Sequence, residues 1–343
     1  MEEMTIKDIA KLCGVGISTV SRAINNHPDI NPETKAMIMN TIEENGYIPN
    51  NSARNLKRTE AKSIAVLVKG MSNLFFSTMI KVMEEEIKKK KYTLVLHHVD
   101  FNEDEIDVAL QLVKEKRLAG IIFLGGYFQH QEKLEKLQVP YILSTVSGPP
   151  ENLNRTEYSS ISVDDEAESF KMVNRLIELG HKKIAILSAV SEDESIGKLR
   201  LMGYKRALQA HQISVNERLI MPMRADMEQY SMQNGYAVTQ ALLESNEEFT
   251  ALFAISDMLA IGACKAITDS GKRIPEDYSV AGFDGIQLGQ YYNPSLTTIK
   301  QPIEEMAKAT VKILYKVLSD HAEHKHQVFA AELIERDSTQ KIK

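Results

Sequence analysis

Apolar positions along the chain fall into two regimes. Over residues 1–46 they recur at helical spacing: Ile6, Ile9, Ala10 and Cys13 share one face, and Val20, Ala23 and Ile24 share another. Three short helices are predicted. Thr5 with Asp8 three positions later has the form of a capping box, Gly14 ends the first helix, and the second begins near Ile17. Asn31-Pro32 opens the third helix, and Asn45-Gly46 closes it. From Ala61 short β-rich runs alternate with amphipathic helices. Ile64–Val68 precedes a Phe76/Ile80/Met83/Ile87 stripe, Thr93–Leu96 precedes Ile106/Leu110/Val113, and Gly120–Leu124 and Val139–Leu143 follow. A second series contains Ile184–Leu187, Ala251–Ile255, Ser279–Phe283 and Thr297–Lys300. Strands alternating with helices predict doubly wound parallel sheets. Lys62-Ser-Ile-Ala-Val-Leu-Val and Lys182-Lys-Ile-Ala-Ile-Leu-Ser echo each other 120 residues apart, which fits two α/β lobes that each open with an equivalent strand. Two such sheets facing each other place a cleft at the carboxyl ends of their strands. Residues 47–60 are polar with few apolar anchors, a linker composition in which a helix of about eight residues is marginal on its own.

Composition narrows the classes. The 343 residues suffice for two or three domains, with 43% hydrophobic and 26% charged residues, as in a globular protein. The apolar runs are too short to span a bilayer, and the acidic Met1-Glu2-Glu3 start differs from a secretory signal, so the expected location is the cytoplasm without membrane association. Cys13 and Cys264 lie far apart without CxxC or His spacing, which excludes a disulfide framework and a zinc finger. The sequence holds no GxSxG, HExxH, Walker A or dinucleotide GxGxxG, so neither an enzyme nor a cofactor or metal is expected. Gly125-Gly126 allow a ligand close to the backbone.

Helix, short turn and helix within 25 residues is helix-turn-helix geometry. On the second helix Ile17, Ser18, Ser21 and Arg22 lie opposite the apolar face, with Arg22 suited to a bidentate guanine contact and Ser18 one turn earlier. The net charge of −6, and seven Lys/Arg against eight Asp/Glu over residues 1–60, mean that nucleic-acid binding must come from a local surface. A small helical domain with a solvated polar face fits the same spacing.

The motifs Thr5-Ile-Lys-Asp-Ile-Ala, Gly14-Val15, Thr19-Val20-Ser21-Arg22 and Ile24-Asn25 resemble the headpiece of the lactose-repressor (LacI/GalR) family of bacterial transcription regulators. Gly46-Tyr47-Ile48-Pro49-Asn50, with Ala53 and Leu56, resembles that family's hinge. The likeness continues through Gly180-His181, Gly203-Tyr204, Ser256-Asp257, Gly282-Phe283-Asp284, Leu296 to Pro302 and Arg336-Asp337-Ser338-Thr339. It implies an all-α headpiece at 1–46, a hinge at 47–60 and a two-lobed, type I periplasmic-binding-protein-like core. The first lobe is expected at 61–162 and 292–323, the second at 163–291 and 324–343.

By this resemblance Ile17, Ser18 and Arg22 read bases, and Thr19, Ser21, Asn25 and Tyr47 hold phosphates. Thr5, Asn50 and Ala53 are further DNA-side positions, and Leu56 matches a leucine that wedges into the minor groove, or else anchors the linker to the core. Gly16 stands where a serine commonly caps the recognition helix. Phe75, Phe76, Asp164, Arg200, Tyr230, Asp257 and Asp284 match effector-contacting positions. Phe76 also begins a core stripe, Asp164 and Asp284 also suit helix caps, and Asp257 stands where sugar-binding members often have asparagine. Glu194 lies near an arginine position of the purine repressor, which counts against a purine. The expectation is a homodimeric repressor of double-stranded operator DNA, controlled by a carbohydrate or sugar phosphate. Control by a protein corepressor and a two-lobed solute-binding protein are the alternatives.

Overall fold

The computed structural model describes residues 5–24, 27–45, 62–70, 72–100, 102–126, 128, 131–146, 156–190, 196–320 and 322–342. They form two compact units that divide after Glu60. In the first, α1 (Ile6–Leu12), α2 (Ile17–Ile24) and α3 (Pro32–Glu44) bury Ile9, Ala10, Val20, Ala23 and Ile38 against one another. The Asp8 carboxylate accepts from the Thr5 N–H at 2.9 Å and from the Thr5 hydroxyl at 2.6 Å, closing the start of α1. Asn31 accepts from the Glu33 and Thr34 amides at 2.8 and 3.2 Å, with Pro32 at the first helical position. The three predicted helices are all present.

The second unit contains two six-stranded sheets. The first sheet is built from β1 (Ser63–Lys69), β2 (Thr93–Val99), β3 (Leu118–Leu124), β4 (Tyr141–Ser144), β5 (Ser159–Val163) and β11 (His326–Phe329). Its order is β11-β5-β4-β3-β1-β2, all parallel. The second sheet comprises β6 (Ile184–Ser188), β7 (Ile220–Pro222), β8 (Ala251–Ala254), β9 (Ser279–Asp284), β10 (Thr297–Lys300) and β12 (Glu332–Ile334), in the order β12-β10-β9-β8-β6-β7. Only its edge strand β12 is antiparallel. β1 and β6 occupy the same place in their sheets, next to an edge strand, so the repeated Lys-x-Ile-Ala run marks equivalent strands. The central strands are buried along nearly their whole length, which is why their sequences run continuously apolar rather than alternating.

Among the described residues the α-helices of this unit are α4 (Leu74–Lys89), α5 (Glu105–Glu115), α6 (Asp165–Glu178), α7 (Ile196–Ala210), α8 (Met232–Glu244), α9 (Asp257–Asp269), α10 (Gln287–Tyr291) and α11 (Ile303–Asp320). No helix among the described residues is long and apolar enough to cross a membrane.

Among the described residues the chain passes between the lobes three times, and two crossings differ from the expected boundaries. Residues 292–323 were expected in the first lobe, yet β10 pairs with β9 in the second, with Thr297, Thr298 and Ile299 buried. Residues 324–343 were expected in the second lobe, yet β11 pairs with β5 in the first. A short polar strand such as His326–Phe329 has little hydrophobic pattern of its own, and the open hydrogen-bonding edge of β5 recruits it. Glu168 of α6 then pins the last crossing, accepting from the Ala331 amide at 3.2 Å, while Lys171 donates to the Ala331 carbonyl at 3.1 Å.

Candidate functional site

In the headpiece, burial of Val20 and Ala23 turns the opposite face of α2 outward. Ile17, Ser18 and Arg22 are exposed there, and Thr19 and Ser21 are half-buried. Ile17, apolar yet 46% exposed, has no core to enter on that side. Thr5 is also exposed. The Gly16 carbonyl accepts from the Thr19 and Val20 amides at 2.9 and 3.2 Å, so the backbone starts the helix without a capping hydroxyl. Asn25, Tyr47, Asn50, Ala53 and Leu56 lie outside the described residues.

In the second unit a cavity of about 370 Å³ opens at the carboxyl ends of both sheets, a size typical of small-molecule sites. The first lobe supplies Lys69 at the end of β1, Asn73 and Phe75-Phe76 at the start of α4, His98 and Asp100 at the end of β2, and Thr145 after β4. Arg200, the 225–230 loop with Tyr230, Asp284 and Gln301 face them from the second. Phe75 and Phe76 meet edge to face at 5.4 Å between centroids.

Arg200 organises the floor. Its Nε donates to Asp165 at 2.8 Å, and its Nη1 donates to the Ile255 carbonyl while lying 3.6 Å from Asp284. The guanidinium also lies 3.7 Å over the Phe283 ring. Burial works against its charge, but Asp165 and Asp284 outweigh that and raise its pKa. Asp165 is itself raised by burial, with Arg200 opposing. Burial pushes Asp284 up to about 6 despite the Arg200 charge and the donors Asn73 and Gln301. Gln301 donates to Asp284 at 3.0 Å within the second lobe, whereas Asn73 reaches it at 3.4 Å from the first. Asp284 is thus where the lobes touch across the cavity.

Its backbone is strained, with φ at +122°, in a region that residues other than glycine seldom occupy. The next residue must be glycine: a Cβ on Gly285, at φ +74°, would lie 2.6 Å from Lys300 Cα. This tight turn aims the Asp284 carboxylate into the cleft.

Residues 5–50 match the family described as bacterial regulatory proteins, lacI family, and residues 173–339 match the periplasmic binding protein-like domain. The HTH-type transcriptional regulator MalR of Clostridium butyricum is 41% identical over 98% of this chain and 99% of its own. The chain belongs to the lacI family of bacterial regulatory proteins. Among solved structures, the transcriptional regulator CelR–cellobiose complex is 25% identical, with a TM-score of 0.71 over 98% of this chain and 100% of that one. The Lac repressor bound to ONPG in the repressed state is 26% identical, with a TM-score of 0.76 over 98% and 100%. This LacI-family chain is a helix-turn-helix, DNA-binding regulator of transcription with a periplasmic-binding-protein-like core.

Of the effector positions expected in this LacI-family core, Phe75, Phe76, Arg200, Tyr230 and Asp284 line one cavity. Asp164 does not. Its side chain caps α6 by accepting from the Ala167 amide at 2.9 Å, and the adjacent Asp165 holds Arg200. Asp257 does not line the cavity either. It is wholly buried behind the Asp284 turn, accepting from the Thr298 hydroxyl at 2.6 Å and the Ile286 amide at 2.8 Å. Gly125 and Gly126 do border the cavity, but a Cβ there would first strike Phe76 at 2.9 Å and Glu105 at 2.7 Å.

Sequence reading missed Asn73, Asp165, Gln301, Thr145 and the buried Lys69–Glu105 ion pair at 3.0 Å. It also missed Asn234, which carries the 225–230 loop. Asn234 accepts from the Arg224 amide at 2.9 Å and donates to the carbonyls of Arg224 at 2.9 Å and Glu228 at 3.3 Å.

Proposed function

We propose that this regulator is a repressor, acting as a cytoplasmic homodimer on a pseudo-palindromic operator, with DNA affinity set by a small polyhydroxylated ligand between the core lobes. The observation that carries the ligand reading is the interlobe cavity. There Arg200, Asp284, Asn73, Gln301 and Thr145 set donors and acceptors beside Phe75, Phe76 and Tyr230. Hydroxyls satisfy such a mixed set, and aromatic faces cover the C–H surface of a sugar ring. The cellobiose held by the CelR structure supports a carbohydrate. Sensing rather than turnover is the role assigned to the cavity.

On the DNA side Ile17, Ser18 and Arg22 are assigned to base edges, and Thr5, Thr19 and Ser21 to the backbone of the duplex. The exposed polar face of α2 supports this division. Asn25, Tyr47, Asn50, Ala53 and Leu56 keep their expected DNA-side roles. A two-fold protein pairs naturally with two half-sites.

A binding-site selection with the full chain, with and without a panel of sugars, tests both halves. A defined operator that one sugar releases or tightens is the expected result, whereas no preference for any duplex defeats the proposal. Arg22→Ala should cost about 1–3 kcal/mol at one base pair per half-site. An equal loss on every sequence would move Arg22 to the phosphates.

A further inference from the structure

We infer that the cavity takes an uncharged polyhydroxylated molecule, an unphosphorylated sugar, and rejects its phosphorylated counterpart. The inference rests on the proposed effector role of the cavity and chooses between the two ligand classes left open above.

A phosphate dianion is held by unpaired cations or by free amides at a helix start. Among the described residues, both permanent cations that line the cavity are already committed. Lys69 is paired with Glu105 at 3.0 Å, with side chains 9% and 5% exposed, and also donates to the Glu103 carbonyl at 2.7 Å. Arg200 is paired with Asp165 and faces Asp284. His98 faces Asp100 at 3.4 Å.

Carboxylates dominate the remaining charge. Among the described residues, Asp100, Asp226, Glu228 and Asp284 all line the cavity, against the two permanent cations Lys69 and Arg200. Arg224, just before the 225–230 loop, is closed in a two-pronged pair with Asp226 at 3.0 and 2.7 Å. The start of α4 offers no substitute, because its Phe75 amide is taken by the Asn73 side chain at 3.0 Å. Among the described residues, a phosphoryl group entering here would meet like charge without gaining a cation.

Neutral hydroxyls fit the same wall. The Thr145 hydroxyl is buried at the cavity with no hydrogen-bond partner among the described residues. Asn73 and Gln301 present amides, and the carboxylate oxygens accept from sugar O–H groups without requiring charge on the ligand.

The experiment is calorimetric titration of the purified full chain with matched pairs: glucose and glucose 6-phosphate, ribose and ribose 5-phosphate, cellobiose and cellobiose 6′-phosphate, trehalose and trehalose 6-phosphate. In each pair that binds, the neutral member is expected to bind at least about tenfold more tightly at low salt. The double variant Asp226→Asn, Glu228→Gln removes two exposed carboxylates and frees Arg224, and should narrow that gap about tenfold. A phosphorylated member that binds more tightly than its partner overturns the inference while leaving the effector cavity standing. Absence of binding by every pair removes the effector reading, and this inference with it.

Discussion

Arg200→Met is expected to lower the stability of the core by about 3–5 kcal/mol, the usual cost of removing one partner from a buried ion pair. It should also abolish any response to ligand. Asp165 and Asp284 are both buried and have Arg200 between them. Without the guanidinium, two carboxylates share a low-dielectric pocket, and at least one must take up a proton. The Ile255 carbonyl also loses its donor, and the Phe283 ring its cation. Methionine keeps much of the stem volume, so an unfilled cavity contributes little. Urea denaturation of Arg200→Met beside Arg200→Met, Asp165→Leu separates the causes. The double variant should recover part of the loss, because replacing a buried charge pair by apolar groups is far less damaging than orphaning one member. A double variant no more stable than the single one would show that packing around Arg200, rather than its charge, holds this floor together.

Such a floor was only partly legible in the sequence. The headpiece and the central strands were readable because burial imposes period: Ile9, Val20 and Ala23 recur helically, and β1, β3, β8 and β9 are apolar runs. β5, β7, β11 and β12 escaped notice. Ser-Ser-Ile-Ser-Val and His-Gln-Val-Phe carry little apolar signal, and these strands exist because a neighbouring edge needs hydrogen-bond partners. The exchange of Asp164 for Asp165 has a similar root. Both sit where a helix begins, and either serves as a cap. The buried face of α6 runs through Asp165, Ser169, Met172, Val173 and Leu176, so helical spacing already directed Asp165 inward and Asp164 to the cap. Asn73 and Asp284, 211 residues apart, meet only because two lobes close on one another, and no local pattern encodes that contact.

Asp257→Asn is expected to weaken an unusual pH dependence. Asp257 is wholly buried, and burial together with the Asp284 charge pushes its pKa up to about 8, against hydrogen bonds from Thr298 and the Ile286 and Gly285 amides. Asp284 is raised to about 6. In the unfolded chain both titrate near the ordinary aspartate value of about 3.9. The folded state therefore binds protons more tightly than the unfolded state. The stability these groups contribute is fully present below pH 4 and is lost as the pH rises through 6 and then 8, by up to about 1.4 kcal/mol per pH unit for each proton. His181 and His324, lowered chiefly by burial below the ordinary histidine value, act in the opposite direction, so the wild-type curve alone is a mixture. The variant isolates Asp257. Asparagine keeps an acceptor for the Ile286 amide, and its NH₂ donates to Thr298, whose hydroxyl rotates to accept. Stability from urea melts at pH 5, 6.5 and 8 should fall more steeply in the wild type than in Asp257→Asn, so the variant gains relative stability by several kcal/mol at pH 8. Parallel curves for the two proteins would mean that Asp257 is ionised throughout, its charge carried by the Thr298 hydroxyl and the two amides of the turn that also aims Asp284 into the cleft.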